Sequence, residues 1–169
     1  RAARRERGAI LRCARKTRNT REACRRGGKC CRKKHNLGAS LLVRLLIADD
    51  HDLLRDTLEH YFRQEGAFAV TAVADFHGAC EALDSGESYD LVLLDYGMPG
   101  MDGLDGLRRI LARDPAPRVA LISGVAPRDV AEKALALGAV GFLPKTLSAR
   151  SIINAVRFMI AGERYVPVD

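Results

Sequence analysis

The stretch Leu42-Val-Arg-Leu-Leu-Ile-Ala-Asp-Asp50 reads as a strand buried on both faces, because its apolar residues run almost without alternation until two acids stop them. Leu54, Leu58, Tyr61 and Phe62 follow at helical spacing and Gly66 ends the run, so residues 42–66 form one β/α unit. The pattern recurs. Strand Phe68–Val73 leads to helix Gly78–Leu83, and strand Leu91–Leu94 to helix Leu104–Ala112. Strand Val119–Ile122 leads to helix Val130–Leu137, and strand Val140–Leu143 to helix Ser148–Ala161. Five short parallel apolar strands need helices on both faces, and right-handed crossovers then give a doubly wound α/β sheet. In such sheets the polar residues at the carboxyl ends of strands gather in one crevice, and function is sought there.

Those strand ends carry a specific set of side chains. The first ends in Asp49-Asp50, the third in Asp95, the fourth in Ser123 and the fifth in Lys145. Taken singly, an Asp after a strand is commonly a helix cap, and a lone Ser or Lys in a loop means little. Coincidence at four strand ends points to a site. Clustered carboxylates repel unless a cation sits among them, and hard oxygen ligands suit Mg2+ (or Mn2+).

The charge divides the 169-residue chain. The formal net charge is +7, yet residues 1–40 hold 15 Lys and Arg against Glu6 and Glu22, while the remainder is net acidic at −6. Cysteine divides the same way, with Cys13, Cys24, Cys30 and Cys31 in the arm and Cys80 elsewhere, so a disulfide scaffold for the main body is excluded. The arm lacks aromatics and any sustained apolar face, and disorder is expected because too little surface can be buried to offset chain entropy. Its Arg content could neutralise nucleic-acid phosphates, but it has no ring to stack on bases. Cys24, Cys30, Cys31 and His35 match no zinc-ligand spacing. The first Met is Met98, so the expectation is that residues 1–40 are upstream or non-native sequence. No apolar run has the length of a membrane span and no secretory signal is present, which leads to the expectation of a soluble, cytoplasmic protein.

The motifs, taken together, resemble a family. Leu46-Ile-Ala-Asp-Asp-His51, Leu93-Leu-Asp-Tyr-Gly-Met-Pro-Gly-Met-Asp-Gly103, Ile122-Ser-Gly124 and Gly141-Phe-Leu-Pro-Lys145 resemble, in order and spacing, the four motifs of receiver domains of two-component response regulators. The resemblance covers residues 42 to about 166 and implies a flavodoxin-like (βα)5 fold with strand order 2-1-3-4-5. It also implies that Asp95 is phosphorylated by a sensor histidine kinase. Asp49, Asp50, Asp95 and the Gly97 carbonyl would hold Mg2+, Ser123 and Lys145 would bind the phosphoryl group, and Ser123 with Phe142 would form the switch. Such a protein is a phosphoacceptor, not a turnover enzyme. Met98 and Met101 are expected to pack, while Pro99, Gly100 and Gly103 shape a turn.

The ending Lys145-Thr-Leu-Ser148, with Ala161-Gly-Glu-Arg-Tyr-Val-Pro167, is most similar to receivers of LuxR-type transcription regulators. Thr146 stands where many receivers have Pro after the active-site Lys, so no cis peptide is expected there. The implied organisation is an extension at 1–40, a receiver at 41–166 and the start of a linker at 167–169. DNA would be bound only through an output domain absent from the sequence, and homodimerisation is left open. The alternatives are a single-domain phosphorelay or docking protein, and a nucleic-acid binder acting through the basic arm. An aspartate-nucleophile phosphohydrolase would need a second carboxylate where this chain has Gly97.

Overall fold

Five parallel strands, β1 (Val43–Ala48), β2 (Phe68–Val73), β3 (Leu91–Asp95), β4 (Val119–Ser123) and β5 (Gly141–Pro144), pair in the order β2-β1-β3-β4-β5. Each is followed by a helix: α1 (Asp52–Gln64), α2 (Phe76–Asp84), α3 (Leu104–Leu111), α4 (Arg128–Leu137) and α5 (Ala149–Ile160). This computed structural model describes residues 42–124 and 128–166. The basic arm and its cysteines, and residues 167–169, lie outside the described residues.

The apolar runs of the central strands feed two cores. Alternate residues of β1 take opposite sides: Leu46 and Ala48 pack with Phe76, Ala79, Leu107, Ile110 and Ala134, whereas Leu45 and Ile47 pack with Leu58, Phe62, Ile152 and Val156. Helices α2, α3 and α4 therefore cover one face and α1 with α5 the other. Every residue of β3 and β4 is buried, and each large aliphatic side chain so removed from water contributes about 1.5–3 kcal/mol. Met98 and Met101 are buried packing residues, as their sequence context predicts. The turn between β3 and α3 uses left-handed backbone at Gly100 (φ 80°) and Gly103 (φ 64°).

The elements differ from the sequence expectations mainly at their ends. Helix α2 begins at Phe76 because the Asp75 carboxylate accepts the Gly78 N–H at 2.7 Å. Ser148 is likewise the cap of α5, accepting the Ser151 N–H at 3.2 Å. Strand β5 runs one residue later than expected. Beyond α5 the chain returns along its open edge: the Tyr165 N–H donates to the Val140 carbonyl and the Phe142 N–H to the Tyr165 carbonyl, each at 3.0 Å. Gly141 permits this approach, since a Cβ there would stand 2.3 Å from Met159 Sδ and 3.1 Å from the Tyr165 carbonyl. Pro144, with no N–H to offer, blunts the rest of the edge.

Candidate functional site at the carboxyl ends of the strands

Among the described residues, the buried polar or charged ones are Asp49, Asp95 and Ser123, and all three stand at strand carboxyl ends. Side chains that burial penalises are kept only where something repays the cost. The backbone around them is held by a final rung beyond each strand. Asp49 N–H donates to the Val73 carbonyl at 3.2 Å, Tyr96 N–H to Ile122 at 2.9 Å, and Lys145 N–H to Ser123 at 2.8 Å. The carboxyl ends of β1, β3, β4 and β5 thus converge on one pocket.

Lys145 is its centre of positive charge. Its Nζ lies 2.8 Å from Asp95 Oδ2 and within 3.1 Å of both oxygens of Asp49. Burial works to lower the lysine's pKa, but the hydrogen bonds to Asp95 and Asp49 and their charges hold it above the ordinary value. Burial pushes the Asp95 carboxyl up, and the Lys145 ammonium and the Gly97 N–H, which donates to Oδ1 at 3.1 Å, offset only part of this. Asp50 is the more open carboxylate. Desolvation acts to raise it, but the hydrogen bond with Asp95 and the charges of His51 and Lys145 leave it below the ordinary range.

The donor set suits a hard divalent cation. Ligand atoms of Asp49, Asp50, His51 and Asp95 all lie within 4.8 Å of one another. Asp49 is wholly buried, and its Oδ2 has the Lys145 ammonium, 2.9 Å away, as its partner. One ammonium shared by Asp49 and Asp95, with the Asp50 carboxylate beside them, leaves the cluster net negative, the situation that a further cation relieves. Gly97 sits exposed at the lip, where a Cβ would face the Asp95 carboxylate at 3.9 Å.

The remaining residues singled out in the sequence fall around this pocket. Ser123 lies buried at the end of β4, and Phe142 is buried among the residues beneath α2, α3 and α4. On α5, Ile152, Val156 and Met159 face the core while Arg150, Asn154, Arg157 and Phe158 face outward. Phe158 is half exposed, and Arg157 pairs with Glu65 at the end of α1.

Two contributors were not singled out in the sequence. His51 caps α1 without a side-chain bond to the helix, because its imidazole turns to the carboxylates instead. Arg55 donates to the Asp49 carbonyl at 2.9 Å and pairs with Asp52, which fixes the loop after β1. The motif Asp-Asp-His was visible, but spacing alone does not orient an imidazole.

This geometry meets an independent comparison: the profile of the response regulator receiver domain matches residues 45–157. The chain belongs to the response regulator receiver family. The receiver is 36% identical to a LuxR family DNA-binding response regulator from Silicibacter pomeroyi, with a TM-score of 0.63 over 75% of this chain and 98% of that one. It is 32% identical to the NarL signal receiver domain from Mycobacterium tuberculosis, with a TM-score of 0.66 over 72% of this chain and 98% of that one. A curated relative, the glycerol metabolism activator of Pseudomonas putida, is 33% identical over 130 residues, which is 76% of this chain. The chain spans 58% of that relative's length. Among the described residues of the receiver, no helix is long and apolar enough to cross a membrane.

Proposed function

We propose that this receiver accepts a phosphoryl group from a sensor histidine kinase on Asp95. The observation that carries the reading is the placement of the buried Asp95 carboxylate between the Lys145 ammonium at 2.8 Å and the acidic metal pocket. A carboxylate is a nucleophile without a general base. An oxygen of Asp95 bonds to phosphorus as the phosphorus–nitrogen bond of a phosphohistidine breaks, and the departing imidazole takes a proton from water. Lys145 and Ser123 would hold the equatorial oxygens, and Lys145 would neutralise their charge. Asp49, Asp50, Asp95 and the Gly97 carbonyl would hold Mg2+, or Mn2+ in its place, which supplies further positive charge to the transferring group. The receiver is then a phosphoacceptor and not a turnover enzyme.

Phosphorylation is read out through Ser123 and Phe142. A phosphoryl oxygen that engages Ser123 shifts the end of β4, Phe142 repacks, and the face formed by α4, β5 and α5 changes. That face would serve a homodimer or an output domain. Similarity to LuxR-type regulators supports transcription control as the output, with DNA bound by a domain outside this sequence, in the cytoplasm. Residues 1–40 are then an extension, 41–166 the receiver and 167–169 the start of a linker.

The test is to phosphorylate the full chain with acetyl phosphate and Mg2+ and trap the product with borohydride. Reduction of an acyl phosphate leaves homoserine, and peptide mapping should place it at position 95. Homoserine at another carboxylate, with Asp95 intact, would overturn the assignment.

A further inference from the structure

Helix α1 starts without a side-chain cap, since His51 makes no bond to the N–H groups of its first turn. The tie between the loop and the helix comes from inside the helix instead. Arg55 Nη1 donates to the Asp49 carbonyl at 2.9 Å and Nη2 to Asp52 Oδ1 at 2.6 Å, and the side chain is only 16% exposed. A guanidinium offers its donors in one rigid fork, so this contact locks the residue that follows β1 to the residue that opens α1.

What the fork fixes is a peptide plane. The Asp49 N–H donates to the Val73 carbonyl at 3.2 Å, and Asp49 Oδ1 accepts the His51 N–H at 2.8 Å, so Asp49 itself is held on both sides. Its carbonyl lies in the planar unit that carries the Asp50 nitrogen and Cα, and the direction of that carbonyl decides where Asp50 leaves the chain. Asp50 has the greatest need of such a restraint. Its side chain is 34% exposed, whereas Asp49 and Asp95 are buried and held by Lys145.

We infer that Arg55 is a positioning residue for the divalent-ion site, acting through the Asp49–Asp50 peptide, and that this orienting effect outweighs its charge. The two effects have opposite signs. As a cation beside an acidic pocket, Arg55 repels a divalent ion, so by charge alone its removal should tighten binding. As the group that aims Asp50, it should weaken binding when lost, since partners that orient metal ligands are worth about ten- to hundred-fold in affinity. The inference rests on the reading that the acidic pocket holds Mg2+.

The test is calorimetric titration of Mg2+ into the full chain, for wild type, Arg55→Met and Arg55→Lys, with urea denaturation of each in the presence of chelator. Methionine removes both charge and fork, while lysine keeps the charge but cannot hold both acceptors in the fork geometry. Each variant should bind Mg2+ about ten-fold more weakly than wild type. Labelling by acetyl phosphate should then need more Mg2+ to reach half its maximal rate, with the rate at saturating Mg2+ unchanged, because Asp95 and Lys145 are untouched. A merely structural role would lower the urea midpoint and leave Mg2+ affinity alone. Either variant binding Mg2+ as tightly as wild type, or more tightly, overturns the inference and leaves the metal site standing. Failure of wild type to bind Mg2+ overturns both.

Discussion

Lys145 Nζ lies 2.8 Å from Asp95 Oδ2, and the same ammonium stands 2.9 Å from Asp49 Oδ2, so one cation separates two buried carboxylates. Removing it leaves like charges facing each other away from water. Lys145→Met should therefore cost about 3 kcal/mol in the metal-free protein, the usual scale for breaking a buried ion pair. Urea denaturation measures it, and a loss below about 0.5 kcal/mol would show that water already screens the pair.

The raised pKa of Asp95 sets a pH dependence. The folded chain holds that proton more tightly than the unfolded chain, whose carboxyl titrates near the ordinary value of 3.8. Stability linked to Asp95 is therefore fully present below that value and is lost as pH rises through the higher folded pKa. Asp95→Asn removes the titration. Without metal, the variant should gain stability over wild type as pH climbs through this window, as followed by denaturant midpoints. A difference independent of pH would mean that Asp95 is not raised.

How much of this was legible follows from what each signal reports. The bounds of β2, Phe68–Val73, are those read from its residues, because a short apolar strand between polar breaks has little room to slip. Residues Asp49, Asp95, Ser123 and Lys145 could be placed in one crevice by topology alone, since parallel strands bring their carboxyl ends together. The return of Tyr165 to the edge of β5 could not. Arg164-Tyr165-Val166 is too short to show a period, and its partner is decided by where α5 ends. His51 was hidden for a related reason: its role depends on one side-chain torsion, not on spacing.

Gly106 tests the packing under the loop between β3 and α3. In most helices Gly→Ala gains about 1 kcal/mol in propensity. Here a Cβ would stand 2.4 Å from the Met101 carbonyl and 2.5 Å from Met101 Sδ. Backbone cannot yield as a side chain does, so the clash should outweigh the propensity and Gly106→Ala should destabilise by about 1–3 kcal/mol. Thermal denaturation that shows a gain would contradict this packing.

Beryllofluoride with Mg2+, a stand-in for the phosphoryl group, should shift the NMR signals of Ser123 and Phe142. It should also shift those of Tyr165, whose carbonyl accepts the Phe142 N–H at 3.0 Å. A ligand moves a conformational equilibrium only by its differential affinity for the two states. Ser123→Ala should therefore bind the analogue yet give smaller shifts on the face of α4, β5 and α5. Shifts confined to Asp49, Asp50 and Asp95 in wild type would exclude transmission through Ser123 and Phe142.

The most direct measurement is intact mass after exposure of the full chain to acetyl phosphate and Mg2+, on wild type and Asp95→Asn in parallel. Wild type should gain the mass of one phosphoryl group, chelation of the ion should prevent the gain, and Asp95→Asn should gain nothing. Equal labelling of the two chains would contradict the assignment of Asp95 as phosphoacceptor.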